Sequence, residues 1–229
     1  MKTLRTRAIV LRRTNYGEAD RILDLLTPDG RMSAMARGAR KEKSKLAGGI
    51  ELFAVCDVVI GQGKGTLGVL TSARLVQFYR HILEDYDRMQ FAYETLAQIT
   101  KASSNLDEEE WYDIASEVLA ALDALTVPLP LVQTWFYVRI SMLLGEELSL
   151  TRDFKGDKLE VDTTYRYDTN ERGFIEDGHG TITADHIKVL RLVSAKSLAV
   201  IVQVGGMEPY LAECLDVTRR HASLQTALK

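Results

Sequence analysis

Five short runs of β-forming residues, each closed by a turn signal, fill the first 76 residues and leave almost no room for helix. They are residues 7–12 (RAIVLR), 21–27 (RILDLLT), 31–37, 51–60 (ELFAVCDVVI) and 66–76 (TLGVLTSARLV). Pro28, Asp29 and Gly30 make the second and third a hairpin, because Pro presets φ and Gly accepts φ > 0. Five strands and four turns of this length suggest a small barrel, the shape of the OB-fold, whose exposed sheet and loops bind single-stranded nucleic acid.

From Gln77 the pattern turns helical. Met89, Ala92, Leu96 and Ile99 share one face of 87–101, and Ser103, Ser104 and Asn105 end it. Asp107 and Glu110 open a second helix in a D-x-x-E arrangement, with Glu108 and Glu109 favoured there by the helix dipole. Trp111, Ala115, Val118 and Leu122 line that helix. After Pro128 and Pro130, residues 131–144 (LVQTWFYVRISMLL) are apolar on nearly every side, so Trp135, Phe136 and Tyr137 read as core. Residues 153–180 form a polar excursion with a hairpin, and helical spacing resumes at 184–193 and 209–228. The expected fold is therefore α+β and multi-domain. An N-terminal OB-fold β-barrel (1–80) precedes a mainly α-helical domain (81–229) with a small β-hairpin insertion at about 153–180.

Charge is distributed unevenly over this plan. Residues 31–45 (RMSAMARGARKEKSK) carry Arg31, Arg37, Arg40, Lys41, Lys43 and Lys45 against Glu42 alone, a net +5 in a chain of net −3. Residues 1–80 hold 15 Lys and Arg against 7 Asp and Glu, a net +8. The remainder holds 14 against 25, a net −11. A basic loop leaving a rigid strand is what a polyanion-binding surface needs, since each cation near a phosphate releases condensed counterions. The plainer reading is a solvated loop that serves solubility.

Other signals narrow the class. No apolar run approaches the length of a membrane span, and the N-terminus lacks a signal-peptide block, so an intracellular, soluble protein is expected. Cys56 and Cys214 stand far apart and read as small buried hydrophobes. Residues 63–68 (GKGTLG) match GxGxxG literally, but a β-type run follows them instead of a helix, which sets a nucleotide fingerprint aside. His81, His179, His186 and His221 are scattered, without metal-ligand spacing, and no Ser, His and acid set is defensible. Binding without catalysis, cofactor or metal is the expectation. Arg219, Arg220 and His221 form a small basic cluster on the last helix, which could extend a DNA track or answer the helix dipole.

Three stretches carry a family resemblance: RAIVLRRTNYGEADRILDLLTPDGR at 7–31, ARGARKEKSKLAGGIELF at 36–53 and GKGTLGVLTSARLV at 63–76. In order and spacing they resemble the RecO family of bacterial recombination mediator and repair proteins, and TYRYDTNERGFI at 164–175 continues the likeness. The resemblance implies an OB-fold that binds single- and double-stranded DNA and anneals strands coated by single-strand-binding protein. It also implies cooperation with RecR, docking of the acidic, apolar C-terminal tail of single-strand-binding protein on the helical domain, and indirect help in loading RecA. A cytoplasmic, nucleoid-associated location follows, with no membrane. Arg37, Arg40, Lys41, Lys43 and Lys45 match the family's basic loop, while Arg12, Arg13 and Lys64 join them by charge alone. Many members carry a four-cysteine zinc site where this chain has residues 153–180 and no cysteine, so a metal-free hairpin is expected there. The rival reading is a non-enzymatic interaction adaptor whose basic loop binds an acidic protein partner.

Overall fold

The computed structural model describes residues 2–63, 65–103 and 109–227. The chain divides into two compact units, residues 1–124 and 125–229.

The first unit is built on five strands, β1 (Lys2–Tyr16), β2 (Asp20–Thr27), β3 (Gly30–Ala36), β4 (Ala54–Gln62) and β5 (Leu67–Phe78). They close in the order β1-β2-β3-β5-β4, with every pair antiparallel except β3–β5. This is the five-stranded OB architecture. Alternation along the strands turns Ala8, Val10, Leu23, Leu25, Ala34, Ala36, Val58 and Ile60 into the lumen. Gly68 stands where β5 runs beside β3, with Ala34 opposite it. A Cβ there would lie 2.5 Å from Ile60 Cγ2, so the GxGxxG glycine serves close packing in a barrel wall.

Ile9 and Leu26 oppose one another on the outer face of β1 and β2, yet both are fully buried. Two helices cover this wall, α1 (Tyr86–Ala102) and α2 (Glu110–Asp123), which pack on β1 and, for α2, on β2. The barrel thus ends at Phe78 while its compact unit continues to Ala124. Asp85 caps α1 by accepting from the Arg88 amide at 3.1 Å. The buried Arg88 side chain donates to the carbonyls of Ala121 and Leu122 at the end of α2, at 3.5 and 3.2 Å. A cation there meets the negative end of the helix dipole. The expected Asp107 opening of α2 and the Ser104–Asn105 stop of α1 fall outside the described residues.

The second unit packs α3 (Leu129–Leu143) against α4 (Ala184–Ala195) and α6 (Leu211–Ala227), with the single turn α5 (Leu198–Ile201) between the last two. Trp135, Phe136 and Tyr137 are core residues of α3. Residues 165–176 form the expected hairpin, β6 (Tyr165–Asp168) with β7 (Gly173–Glu176). Its inner side is aromatic. Tyr165, Tyr167 and Phe174 are buried in edge-to-face contact, with centroids 6.5 and 6.2 Å apart.

Candidate nucleic-acid interface

The basic loop leaves β3 at a fastened root. Gly38 takes φ 65°, a left-handed conformation in which a side chain would be strained, and its amide donates to Asp20 Oδ1 at 2.7 Å. The Arg40 amide donates to the Ala19 carbonyl at 2.9 Å, and Arg40 Nη1 donates to the Gly17 carbonyl at 3.2 Å. Ala39 between them is buried in the barrel cluster. The chain then coils through Lys41 N to Gly38 O at 3.1 Å and Ser44 N to Lys41 O at 3.0 Å, and returns inward at the buried Ile50.

Burying Ala39 and Ile50 leaves the charges outside. Arg37, Arg40, Lys41, Lys43 and Lys45 are all exposed, and among the described residues no carboxylate forms an ion pair with any of them. Five cations therefore project from a loop pinned to the β1–β2 turn. That arrangement suits a line of phosphates and keeps the cations hydrated until one arrives.

The residues added by charge alone fare differently. Arg12 is exposed on the outer face of β1, opposite Asp24 in register. Arg13 is half-buried and engaged, donating to Glu51 Oε2 at 2.6 Å and to the Ile50 carbonyl at 3.5 Å. It secures the returning end of the loop. Lys64 lies outside the described residues; its neighbour Gln62 pairs with Lys2, at the other end of β1 from the basic loop. Arg31 is also engaged, with Asp24 at 3.4 Å and the Thr100 carbonyl at 2.9 Å.

Few aromatic rings accompany the loop. Tyr16 at the end of β1 is 55% exposed. Phe53, with φ 58°, is buried against Tyr93 at 4.9 Å, and Tyr79 is buried too.

A second group of cations escaped the sequence reading. Arg5, Arg7 and Arg74 lie on the outer face of β1, β4 and β5 around Asp57. The signal was available only in the strand register, which sets Arg7, Asp57 and Arg74 in one row.

Of the C-terminal cluster, Arg219 and Arg220 are exposed and His221 is not. His221 is buried, and Arg220 is held by Asp216 at 2.6 Å while its guanidinium lies over the Tyr167 ring at 5.4 Å. Nearby, a cleft of about 480 Å³ is lined by Tyr137, Met142, Leu148, Leu150, Leu190 and Arg191. Arg191 gives Nε and Nη2 to the Leu150 carbonyl at 2.9 and 2.6 Å, shaping the cleft's wall. Among the described residues no group of three or more His, Cys, Asp or Glu is placed to hold a metal, and no helix is long and apolar enough to cross a membrane.

Residues 1–79 match the family model described as Recombination protein O N terminal. The chain is also similar to curated relatives named DNA repair protein RecO. That of Rubrobacter xylanophilus is 31% identical over 146 residues, covering 63% of this chain and 58% of the relative. That of Heliobacterium modesticaldum is 33% identical over 165 residues, covering 70% and 59%. That of Dehalococcoides mccartyi strain 195 is 46% identical over 79 residues, covering 34% and 31%. The chain thus spans well under two thirds of the length of the relatives it matches.

Proposed function

We propose that this chain, whose N-terminal domain belongs to the RecO family, is a DNA-binding recombination mediator acting in DNA repair. The observation that carries the reading is the set of five exposed cations that have, among the described residues, no carboxylate partner, on a loop fastened to an OB barrel. Phosphates laid along this loop displace counterions, and the repulsion between two strands falls enough for complementary bases to pair. Contact with the backbone and little base stacking gives weak sequence preference and steep salt dependence. The protein binds rather than catalyses.

The partners follow from the same reading. The curated relatives are named for DNA repair. RecR works beside this protein, and the recombinase RecA is loaded as an indirect result. The acidic, apolar C-terminal tail of single-strand-binding protein docks on the second unit, where the cleft of Tyr137, Met142, Leu148 and Leu150 offers apolar walls and Arg191 a cation.

The test is annealing of two complementary fluorescent strands, bare and coated with single-strand-binding protein, with and without the chain. The reading expects faster annealing of both, with the gain lost when Arg40, Lys41, Lys43 and Lys45 are all changed to Ala. No acceleration by the wild type, together with retained binding to an acidic protein, would instead establish the adaptor role.

A further inference from the structure

Among the described residues, the face of the barrel formed by β1, β4 and β5 holds three arginines, Arg5, Arg7 and Arg74, and one carboxylate, Asp57. Arg7, Asp57 and Arg74 stand side by side across the three strands, and Arg5, Val59 and Ser72 form the next row on the same face. Arg7 Nε lies 3.5 Å from Asp57 Oδ1, and Arg74 Nη2 lies 2.8 Å from Asp57 Oδ2. Arg5 is exposed and, among the described residues, has no carboxylate partner. Together with Tyr112 and Pro28 these side chains bound a basin of about 640 Å³, whose net charge is +2.

A structural ion pair needs one arginine per carboxylate, and this cluster has three. A guanidinium has five N–H donors, so Arg7 and Arg74 keep most of theirs after binding Asp57. The hydrogen bond from Arg74, and then that from Arg7, holds the Asp57 carboxyl below its usual range, so it stays ionised and keeps both forks in place. Arg5 and Arg7 are two residues apart on one strand. Their side chains leave the same face about 6.6 Å apart, which suits a repeating anion better than a single one.

The basin is not an extension of the basic loop. Gly17, whose carbonyl anchors Arg40, follows the far end of β1, eleven residues beyond Arg5 at Tyr16. Along the strand that is at most roughly 35 Å. The loop is rooted beside β2 and β3, whereas the basin opens over β4 and β5.

We propose that this arginine basin is a second nucleic-acid site, which holds the phosphodiester backbone of a second strand while the basic loop holds the first. The inference rests on the DNA-binding reading and deepens it. Two separated cationic faces on one rigid barrel let a single protein present two strands to each other.

The experiment uses the full chain and the R5A/R74A variant, in which both substitutions are on exposed side chains and the Arg7–Asp57 pair stays. Two non-complementary single strands, one carrying a donor dye and one an acceptor, report simultaneous binding by energy transfer. Anisotropy reports binding of one strand, and annealing of complementary strands is timed. First-strand affinity is expected to change by no more than about twofold, while energy transfer is lost and annealing slows by at least about tenfold. Unchanged energy transfer and annealing, beside intact first-strand binding by the loop, would overturn the inference and leave the DNA-binding reading in place. Loss of polyglutamate binding in the variant, with the second strand still bound, would overturn it in favour of an acidic protein ligand. Absence of any DNA binding by the wild type would remove both readings together.

Discussion

Arg40 reaches back to the carbonyl of Gly17, 3.2 Å from Nη1, so the most basic segment of the chain is tied to the turn between β1 and β2. With the Gly38 amide on Asp20, this bond makes the loop an extension of the barrel. The backbone that carries these cations is thus ordered before phosphates arrive, which lowers the entropy lost on binding. The arrangement depends on Gly38, whose φ of 65° is unfavourable for any residue with a Cβ. Gly38→Ala is expected to cost about 1–2 kcal/mol, seen as a lower urea midpoint with an unchanged m-value.

Arg13 and Arg37 should separate cleanly in DNA binding. Arg37 is exposed and unpaired among the described residues, whereas Arg13 is held by Glu51 at 2.6 Å. Arg37→Ala should lower the salt slope of single-strand binding by about 0.7, the value of one phosphate contact. Arg13→Ala should leave the slope unchanged. A titration at five salt concentrations compares them.

The second unit carries a pH dependence in the Tyr167–His221 pair. Tyr167 Oη lies 2.8 Å from His221 Nδ1, and His221 Nε2 lies 2.7 Å from the Glu146 carbonyl. A carbonyl only accepts, so Nε2 carries the proton and the tyrosine hydroxyl donates to Nδ1. Burial holds the His221 pKa below the usual histidine range and pushes Tyr167 up to about 12. A depressed histidine adds stability above its unfolded pKa of about 6.5 and loses it as pH falls below that. A raised tyrosine adds stability below about pH 10 and loses it as pH climbs past 10 towards 12. Urea midpoints should therefore decline on both the acid and the alkaline side. Tyr167→Phe should cost about 1–3 kcal/mol at pH 8, because Nδ1 is left buried and unpaired.

Arg88 offers a fourth check, on the first unit. Its side chain closes the C-terminal carbonyls of α2 from α1. Arg88→Met keeps the packing of the stem and removes the donors. A loss of about 2–3 kcal/mol is expected in chemical denaturation.

How far the sequence could be read depended on where the information lay. The barrel was legible because alternation and turn residues are local, and the hairpin at 165–176 was legible for the same reason. The N-terminal half of β1 was not, since Lys2 to Thr6 join the sheet through backbone pairing with β4 rather than through an apolar pattern. Residues 51–53 were expected in β4. Instead Glu51 holds Arg13 and Phe53 turns through φ 58°. The helices α1 and α2 looked separate from the barrel because composition changes at Gln77, yet the buried outer residues Ile9 and Leu26 need that cover. The basic loop was visible as a charge run, whereas Arg5, Arg7 and Arg74 meet only through strand register. His221 read as part of a small basic cluster, and only the fold shows its hydrogen bonds to Tyr167 and to the Glu146 carbonyl.

Whether the basic loop holds phosphates is decided by single-strand DNA affinity across a salt series, for the wild type and for the variant with Arg40, Lys41, Lys43 and Lys45 all changed to Ala. The variant is expected to bind more weakly, with a slope of log K against log salt shallower by about 2–3, as up to four phosphate contacts disappear. Equal affinities and equal slopes for the two proteins would contradict this expectation.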